Sequence, residues 1–439
     1  MTRRELLKQA VSSATFLTLA RRVDAQISSA NPAVRSTARA CIFIYLNGAA
    51  SHVDTFDVKD GPWNPADARI QQFPGGIALS TTLFPRLAQM TGDLCILRSV
   101  RSWEAAHERG VFYMQTAHPS NPAFVAETPH IGAVVSLEKG GTGPMPPFLA
   151  PNGGGTTMQG STFLGGTLAP MAVPANAGGL STIEHNFFGA QSQQRFEERY
   201  SMLQELDGPL RMSAIDRSIS DHADYYESAK RLMYDARIAA VFRFSDTDNI
   251  RYGNSQLGRA AIVARNAVQA KNGTAFVALQ HSGWDTHQNM FDRAYAPNMY
   301  TLCSELDSAL GSLVEDLKTS GDLKETLICV ISEFGRTPGP LNSRGGRDHH
   351  RDAMSVVLIG GGVRGGQVVG ATDAIGENIV EPGWSQQRAI VIEDIAATIY
   401  SALGIDWTKS ILDTPSGRKF EYVPFAVQGR YTVIDEVFA

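Results

Sequence analysis

The sequence predicts an α/β fold: a mostly parallel central sheet with helices on both faces and a helical insertion. Continuously apolar runs of strand length end at glycine or polar loops, and they alternate with amphipathic segments of helix length. Size agrees, since 439 residues, 43% hydrophobic and 19% charged, suffice for one large domain with insertions.

The first run, Ala40-Cys41-Ile42-Phe43-Ile44-Tyr45-Leu46, stops at Asn47-Gly48, as a strand buried on both faces does where its loop begins. A second strand, Leu94 to Val100, leads through Arg101-Ser102-Trp103-Glu104-Ala105-Ala106 to His107, where a helix can start. Gly, Pro and Thr dominate Gly140 to Ala177 and predict long surface loops. From Ser192 to Arg237 the pattern is charged and helical, with Phe196, Tyr200, Leu203 and Leu206 on one face, and predicts a helical insertion over about residues 190–240. Alternation then resumes: helix Leu257 to Ala270, strand Ala275 to Gln280, helix Tyr300 to Lys318, strands Thr326 to Ser332 and Ser355 to Ile359, and a last helix Glu393 to Leu403.

At the N-terminus, Thr2-Arg3-Arg4-Glu5-Leu6-Leu7-Lys8 precedes a modest apolar run, Ala10 to Ala20, that ends near Val23-Asp24-Ala25. This reads as a twin-arginine export signal over residues 1–25, with a linker over 26–39 and the folded domain over 40–439. The run is too short and too rich in Ser, Thr and Ala for a membrane span, so no integral span is expected in the mature chain. A net charge of −5 with scattered Lys and Arg leaves no electrostatic footprint for nucleic acid. Cys41, Cys95 and Cys329 lie in apolar runs and no Cys-x-x-Cys spacing occurs. The four cysteines, Cys303 included, therefore read as small buried hydrophobes rather than as a disulfide framework or thiolate metal site.

Ligands of open parallel sheets bind beyond the carboxyl ends of the strands, and there this sequence is rich in metal-ligand types. The segments are Ser51-His52-Val53-Asp54-Thr55-Phe56-Asp57, then His107, then His281 to Asn289 with Asp285-Thr286-His287, then Ser332-Glu333-Phe334-Gly335-Arg336, and Arg347-Asp348-His349-His350. Six of the ten histidines fall in them. Imidazole with carboxylate suits zinc, manganese or iron. A charge buried after a strand needs a cation or a hydrogen-bond network, which makes Asp54, Asp285, Glu333 and Asp348, with His287 and His349, candidate ligands. Asp54 and Asp57 can instead bond loop amides. Arg336 and Arg347 offer planar forks for a phosphate or sulfate oxyanion, or ion pairs with neighbouring carboxylates.

The segments Asn47 to Lys59, Gly283-Trp284-Asp285-Thr286-His287, Ser332 to Pro338, Gly346-Arg347-Asp348-His349-His350 and Gly360 to Gly366 together resemble the DUF1501 family, twin-arginine exported proteins grouped with the alkaline phosphatase and sulfatase superfamily. The resemblance implies that superfamily's fold and a site of one or two divalent ions, zinc first, with manganese or iron as alternatives. Asp285, His287 and His349 would serve one ion, and Asp54 with Glu333 the other. The superfamily places an Asp where this chain has Asn47 and an Asp-His pair where it has Glu333-Phe334, so a reduced or single-metal site is also implied.

The resemblance further places the nucleophile between Ser99 and His107, with Ser102 as candidate, or else a metal-activated water; Ser102 can equally be a helix cap. No Cys-x-Pro-x-Arg stretch marks a formylglycine sulfatase. The expectation is an exported metal-dependent hydrolase of small anionic phosphate or sulfate esters, with Ser102, His107, Arg336 and Arg347 as catalytic groups. A second expectation is a non-catalytic protein of the same fold that binds an anionic ligand or a surface or export partner.

Overall fold

The computed structural model describes residues 32–140, 143–152, 158–173, 175, 192–212 and 236–438. The expected export signal and residues 213–235 of the expected insertion lie outside them.

An eight-stranded sheet organises the chain. Along the sequence its strands are β1 (Ala40–Asn47), β2 (Cys95–Val100), β3 (Phe148–Ala150), β4 (Met171–Ala172), β5 (Phe276–Ser282), β6 (Thr326–Ile331), β7 (Met354–Ile359) and β8 (Gln367–Val369). Across the sheet the order is β8-β2-β7-β6-β1-β5-β3-β4. Only β7 runs antiparallel, against both β2 and β6, while β1 lies parallel between β5 and β6. The carboxyl ends of the other seven strands therefore share one rim.

The apolar run of β1 is explained by its two faces. Cys41, Phe43 and Tyr45 enter one core and Ala40, Ile42, Ile44 and Leu46 the other. Each fully buried Ile or Phe contributes about 1.5–3 kcal/mol, so a strand covered on both sides cannot alternate with polar residues. The first core is closed by helices α1 (His107–Thr116), α2 (Ile131–Lys139) and α6 (Ile392–Ala402), the second by α4 (Gln256–Ala270) and α5 (Met299–Ser320). The side chain of Asn298 caps α5, accepting the Thr301 N–H at 3.1 Å, and Gly321 ends it with a left-handed φ of 83°.

Helix α3 (Ser192–Met212) lies in the expected insertion. Phe196 stacks on Tyr200, but Leu203 and Leu206 are exposed. The stretch expected as surface loops holds β3 and β4, because backbone pairing of Phe148 and Leu149 with Phe276 and Val277 creates a strand too short to leave a periodicity. All four cysteines are buried and unpaired. No helix among the described residues is long and apolar enough to cross a membrane.

Candidate metal centre

Loops from four distant parts of the chain close on one another at the shared rim. The hydroxyl of Ser332, just after β6, donates to the Leu46 carbonyl at 2.6 Å and accepts the Ala50 N–H at 2.9 Å, which ties the ends of β1 and β6 together. Gly48 follows β1 with a φ of 107°, and a Cβ there would stand 2.4 Å from the Asp285 nitrogen. Only glycine lets the β1 and β5 loops touch. At Gly346 a Cβ would come within 2.1 Å of the His287 carbonyl carbon, so the Arg347–His350 segment also needs a glycine to approach. Gly335–Arg336 and His349–His350 pair as a short antiparallel ribbon, with His349 opposite Arg336.

His107, Asp285, His287 and His349 converge, with one ligand atom from each within 4.8 Å of the others. The Asp285 Oδ1 atom lies 3.2 Å from His107 Nε2, 3.1 Å from His287 Nε2 and 3.7 Å from His349 Nε2. His287 Nε2 and His349 Nε2 are 3.1 Å apart. Each imidazole is gripped from behind: His107 Nδ1 by Glu333 Oε1 at 2.7 Å, His287 Nδ1 by Asp348 Oδ1 at 2.7 Å, and His349 Nδ1 by the Ala105 carbonyl at 2.7 Å. These acceptors carry no hydrogen, so each Nδ1 donates and each Nε2 turns a lone pair inward in the neutral tautomer.

Three lone pairs and a carboxylate oxygen facing one another repel unless a proton or a cation sits among them; Arg336 offsets part of this through N–H groups against His287 Nε2 and Asp285 Oδ1. Ligand atoms around a tetrahedral ion with bonds of about 2.0–2.1 Å are about 3.3 Å apart, close to the four spacings just given. Carboxylate or carbonyl partners behind the ligating histidines are the usual support of such a site. The residues present therefore fit a divalent ion of the zinc type.

The electrostatics follow the contacts. Burial raises the Asp285 carboxyl, but the hydrogen bond and charge of Arg336, with His107 and His287 behind it, hold it below the usual carboxylate range. The hydrogen bond to Glu333 raises the His107 imidazole above its ordinary value against the effect of burial. Burial lowers His349, and the contact with His287 lowers the Asp348 carboxyl.

The other expected site residues lie in different settings. Asp54 is clasped by the fork of Arg347, Nε to Oδ2 at 2.7 Å and Nη2 to Oδ1 at 3.2 Å, with both side chains buried. Arg347 gives Nη1 to the Thr337 and Gly339 carbonyls, each at 2.8 Å. Arg336 is equally buried, bonded to Asp285, His287 and three backbone carbonyls. The forks expected to steady an oxyanion are thus held by the protein, and their alternative reading as ion pairs describes the contacts seen. Glu333 is fully buried, accepts the Gly48 N–H at 3.0 Å, and stands behind His107 rather than among the four. Asp348 stands likewise behind His287.

Ser102 is buried in the turn before α1, where its hydroxyl accepts the Glu104 N–H at 3.2 Å and its N–H donates to the Arg351 carbonyl at 2.9 Å. It is not the cap of α1, a position that Ala106 holds without a side-chain bond. His107, expected as a catalytic group, is the fourth member of the cluster. The sequence reading missed the Ala105 carbonyl and the Gly48 N–H, backbone groups with no signature in residue type. Of the remaining rim histidines, His52 bonds the Gly376 carbonyl at 2.8 Å, His281 bonds Glu305 at 2.9 Å and His350 bonds the Glu377 carbonyl at 2.9 Å.

Fold and site together define an α/β protein with a three-histidine, one-aspartate cluster at the carboxyl rim of its sheet. The chain belongs to the family described as "Protein of unknown function (DUF1501)", matched over residues 38–437. No curated protein matches its sequence. Among solved structures it is similar to PsFucS1 sulfatase from Pseudoalteromonas sp., at 13% identity over 92% of this chain and 72% of that one, with a TM-score of 0.40. It is similar also to a protein in the alkaline phosphatase superfamily from Vibrio parahaemolyticus, at 13% identity over 86% and 69%, TM-score 0.42. A third is the alkaline phosphatase from the Antarctic bacterium TAB5, at 15% identity over 84% and 99%, TM-score 0.38.

Proposed function

We propose that this protein is an exported metal-dependent hydrolase of phosphate or sulfate esters. The observation that carries the reading is the inward convergence of the Nε2 atoms of His107, His287 and His349 on Asp285 Oδ1, each imidazole held from behind by its own acceptor. A divalent ion held by these four would supply Lewis-acid withdrawal of charge from an ester oxygen.

The chain's own residues account for the rest. Glu333, Asp348 and the Ala105 carbonyl keep the Nδ1 protons in place, so the lone pairs stay on Nε2. Arg336 keeps Asp285 ionised and fixes its orientation. The side chains of His107, His287 and His349 are about a quarter exposed and that of Asp285 about half, so a small anionic ester can reach them from solvent. Buried Ser102 is bonded within its own turn, which favours water over Ser102 as the attacking group. Export rests on the Arg3-Arg4 motif and the apolar run behind it; with it the protein acts in the periplasm or is secreted.

A panel of phosphate mono- and diesters beside sulfate esters tests the reading. Hydrolysis of at least one class that stops with a chelator and returns with zinc, manganese or iron is expected. No turnover of any ester by metal-loaded protein would sink it in favour of the non-catalytic alternative. Asp348 is half exposed, so Asp348→Ala should fold normally while weakening metal affinity by about ten- to a hundredfold, read by competition with a chromogenic chelator. Unchanged affinity would remove Asp348 from the support of His287.

A further inference from the structure

We infer that the site takes one divalent ion and that the Arg336 guanidinium supplies its second positive charge, built in as a side chain. The inference rests on the metal reading above and narrows it.

Every acid that follows a strand is engaged, Asp285 by Arg336 inside the cluster and the others elsewhere. Asp54 is held by the Arg347 fork. Asp57 lies 3.1 Å from both Lys59 and Arg98 and accepts the Thr372 hydroxyl. Asp348 is taken by His287, with Arg344 at 3.4 Å. Glu333 Oε1 accepts from His107 and from the Gly48 N–H.

Among the described residues, one grouping of three or more His, Cys, Asp or Glu ligand atoms comes together, the cluster of four. Phe334 sits directly beside it, its ring centroid 5.0 Å from that of His107 and 4.8 Å from that of His349, and an apolar ring ligates nothing. One buried carboxylate oxygen beside the cluster is unpartnered, Glu333 Oε2. Nearby Tyr45 gives its hydroxyl to Asn47 Oδ1 at 2.8 Å. A single anionic oxygen among neutral groups falls short of the three or four donors that a divalent ion of this type takes from protein.

Arg336 meanwhile spends all five N–H groups on fixed acceptors. Nε bonds the Ala49 carbonyl at 2.9 Å, Nη1 bonds the Arg347 carbonyl at 3.1 Å and His287 Nε2 at 3.2 Å, and Nη2 bonds the Gly48 carbonyl and Asp285 Oδ1. A buried cation thus already lies against two of the four ligand residues. A second dication beside it would meet that charge with only Glu333, already shared with His107 and the Gly48 N–H, to offset it.

Zinc content after loading the full chain with excess zinc chloride and desalting decides the stoichiometry. One zinc per chain is expected, falling to none in the double variant Asp285→Ala, His349→Ala. Two per chain would overturn the inference and leave the hydrolase reading standing. No zinc in the unmodified protein would overturn the metal reading and the inference with it. The variants Arg336→Met and Arg336→Lys both break the fork, and only the second keeps a charge. Zinc is expected to bind Arg336→Met about tenfold more tightly than Arg336→Lys, and equal affinities would refute the role given to the guanidinium. Should Arg336→Met fail to fold, the zinc content of the unmodified chain still decides between one ion and two.

Discussion

Simultaneous replacement of Asp285 and His349 by alanine is expected to empty the site of metal and to lower ester hydrolysis by at least about a thousandfold, the loss of several kcal/mol of transition-state stabilisation. The two substitutions remove half of the ligand atoms, and the carboxylates beside the remaining histidines, Glu333 and Asp348, are taken up by their Nδ1 atoms. His349 is partly exposed and rests on Phe334 and on the Ala105 carbonyl, so the alanine should leave the sheet and both cores intact. Asp285→Ala leaves buried Arg336 without its carboxylate partner, a cost reduced because the Asp285 side chain is half exposed and water can reach the gap. Metal content, turnover and the unfolding midpoint measured on one preparation check all three statements. Full turnover in a metal-free double variant would mean that the chemistry lies elsewhere.

Arg347→Ala should have the largest effect on stability, about 3–5 kcal/mol, the usual consequence of leaving one partner of a buried ion pair uncompensated. The Asp54 carboxylate loses its fork in a place that water does not reach, and the Thr337 and Gly339 carbonyls lose their donor. Chemical denaturation followed by tryptophan fluorescence, with Trp284, Trp384 and Trp407 buried, gives the number. The measurement also separates two roles for this residue. A guanidinium that steadied an ester oxyanion would give a variant of normal stability with impaired kinetics, and that outcome would sink the structural role argued from the contacts.

Much of the fold was legible because burial leaves a trace in composition. β1, β5 and β6 announce themselves as unbroken apolar runs, since both faces of each meet a core. β3 left no such trace, being only Phe148–Ala150 and owing its existence to pairing with β5. The direction of β7 was equally hidden, because an apolar run reads the same parallel or antiparallel.

The site divides in the same way. That Asp285, His287 and His349 are ligand types placed after strands could be read from the sequence, and the resemblance to the DUF1501 family implied that they serve one ion. His107 was read from its place after a strand, but as a catalytic group; that it completes the cluster could not be read, and neither could the Arg347–Asp54 pairing across 293 positions.

By itself the amino-acid sequence determined which stretches must be buried and which loops carry charge, because hydrophobic burial and loop chemistry are local and scale with residue type. Only the tertiary structure decided which charge meets which. Three histidines turn inward on one aspartate, two guanidinia lock into the protein and Glu333 stands behind His107. Coulomb and hydrogen-bond energies depend on distances of a few ångströms, and those distances exist only once the strands bring remote loops to one rim.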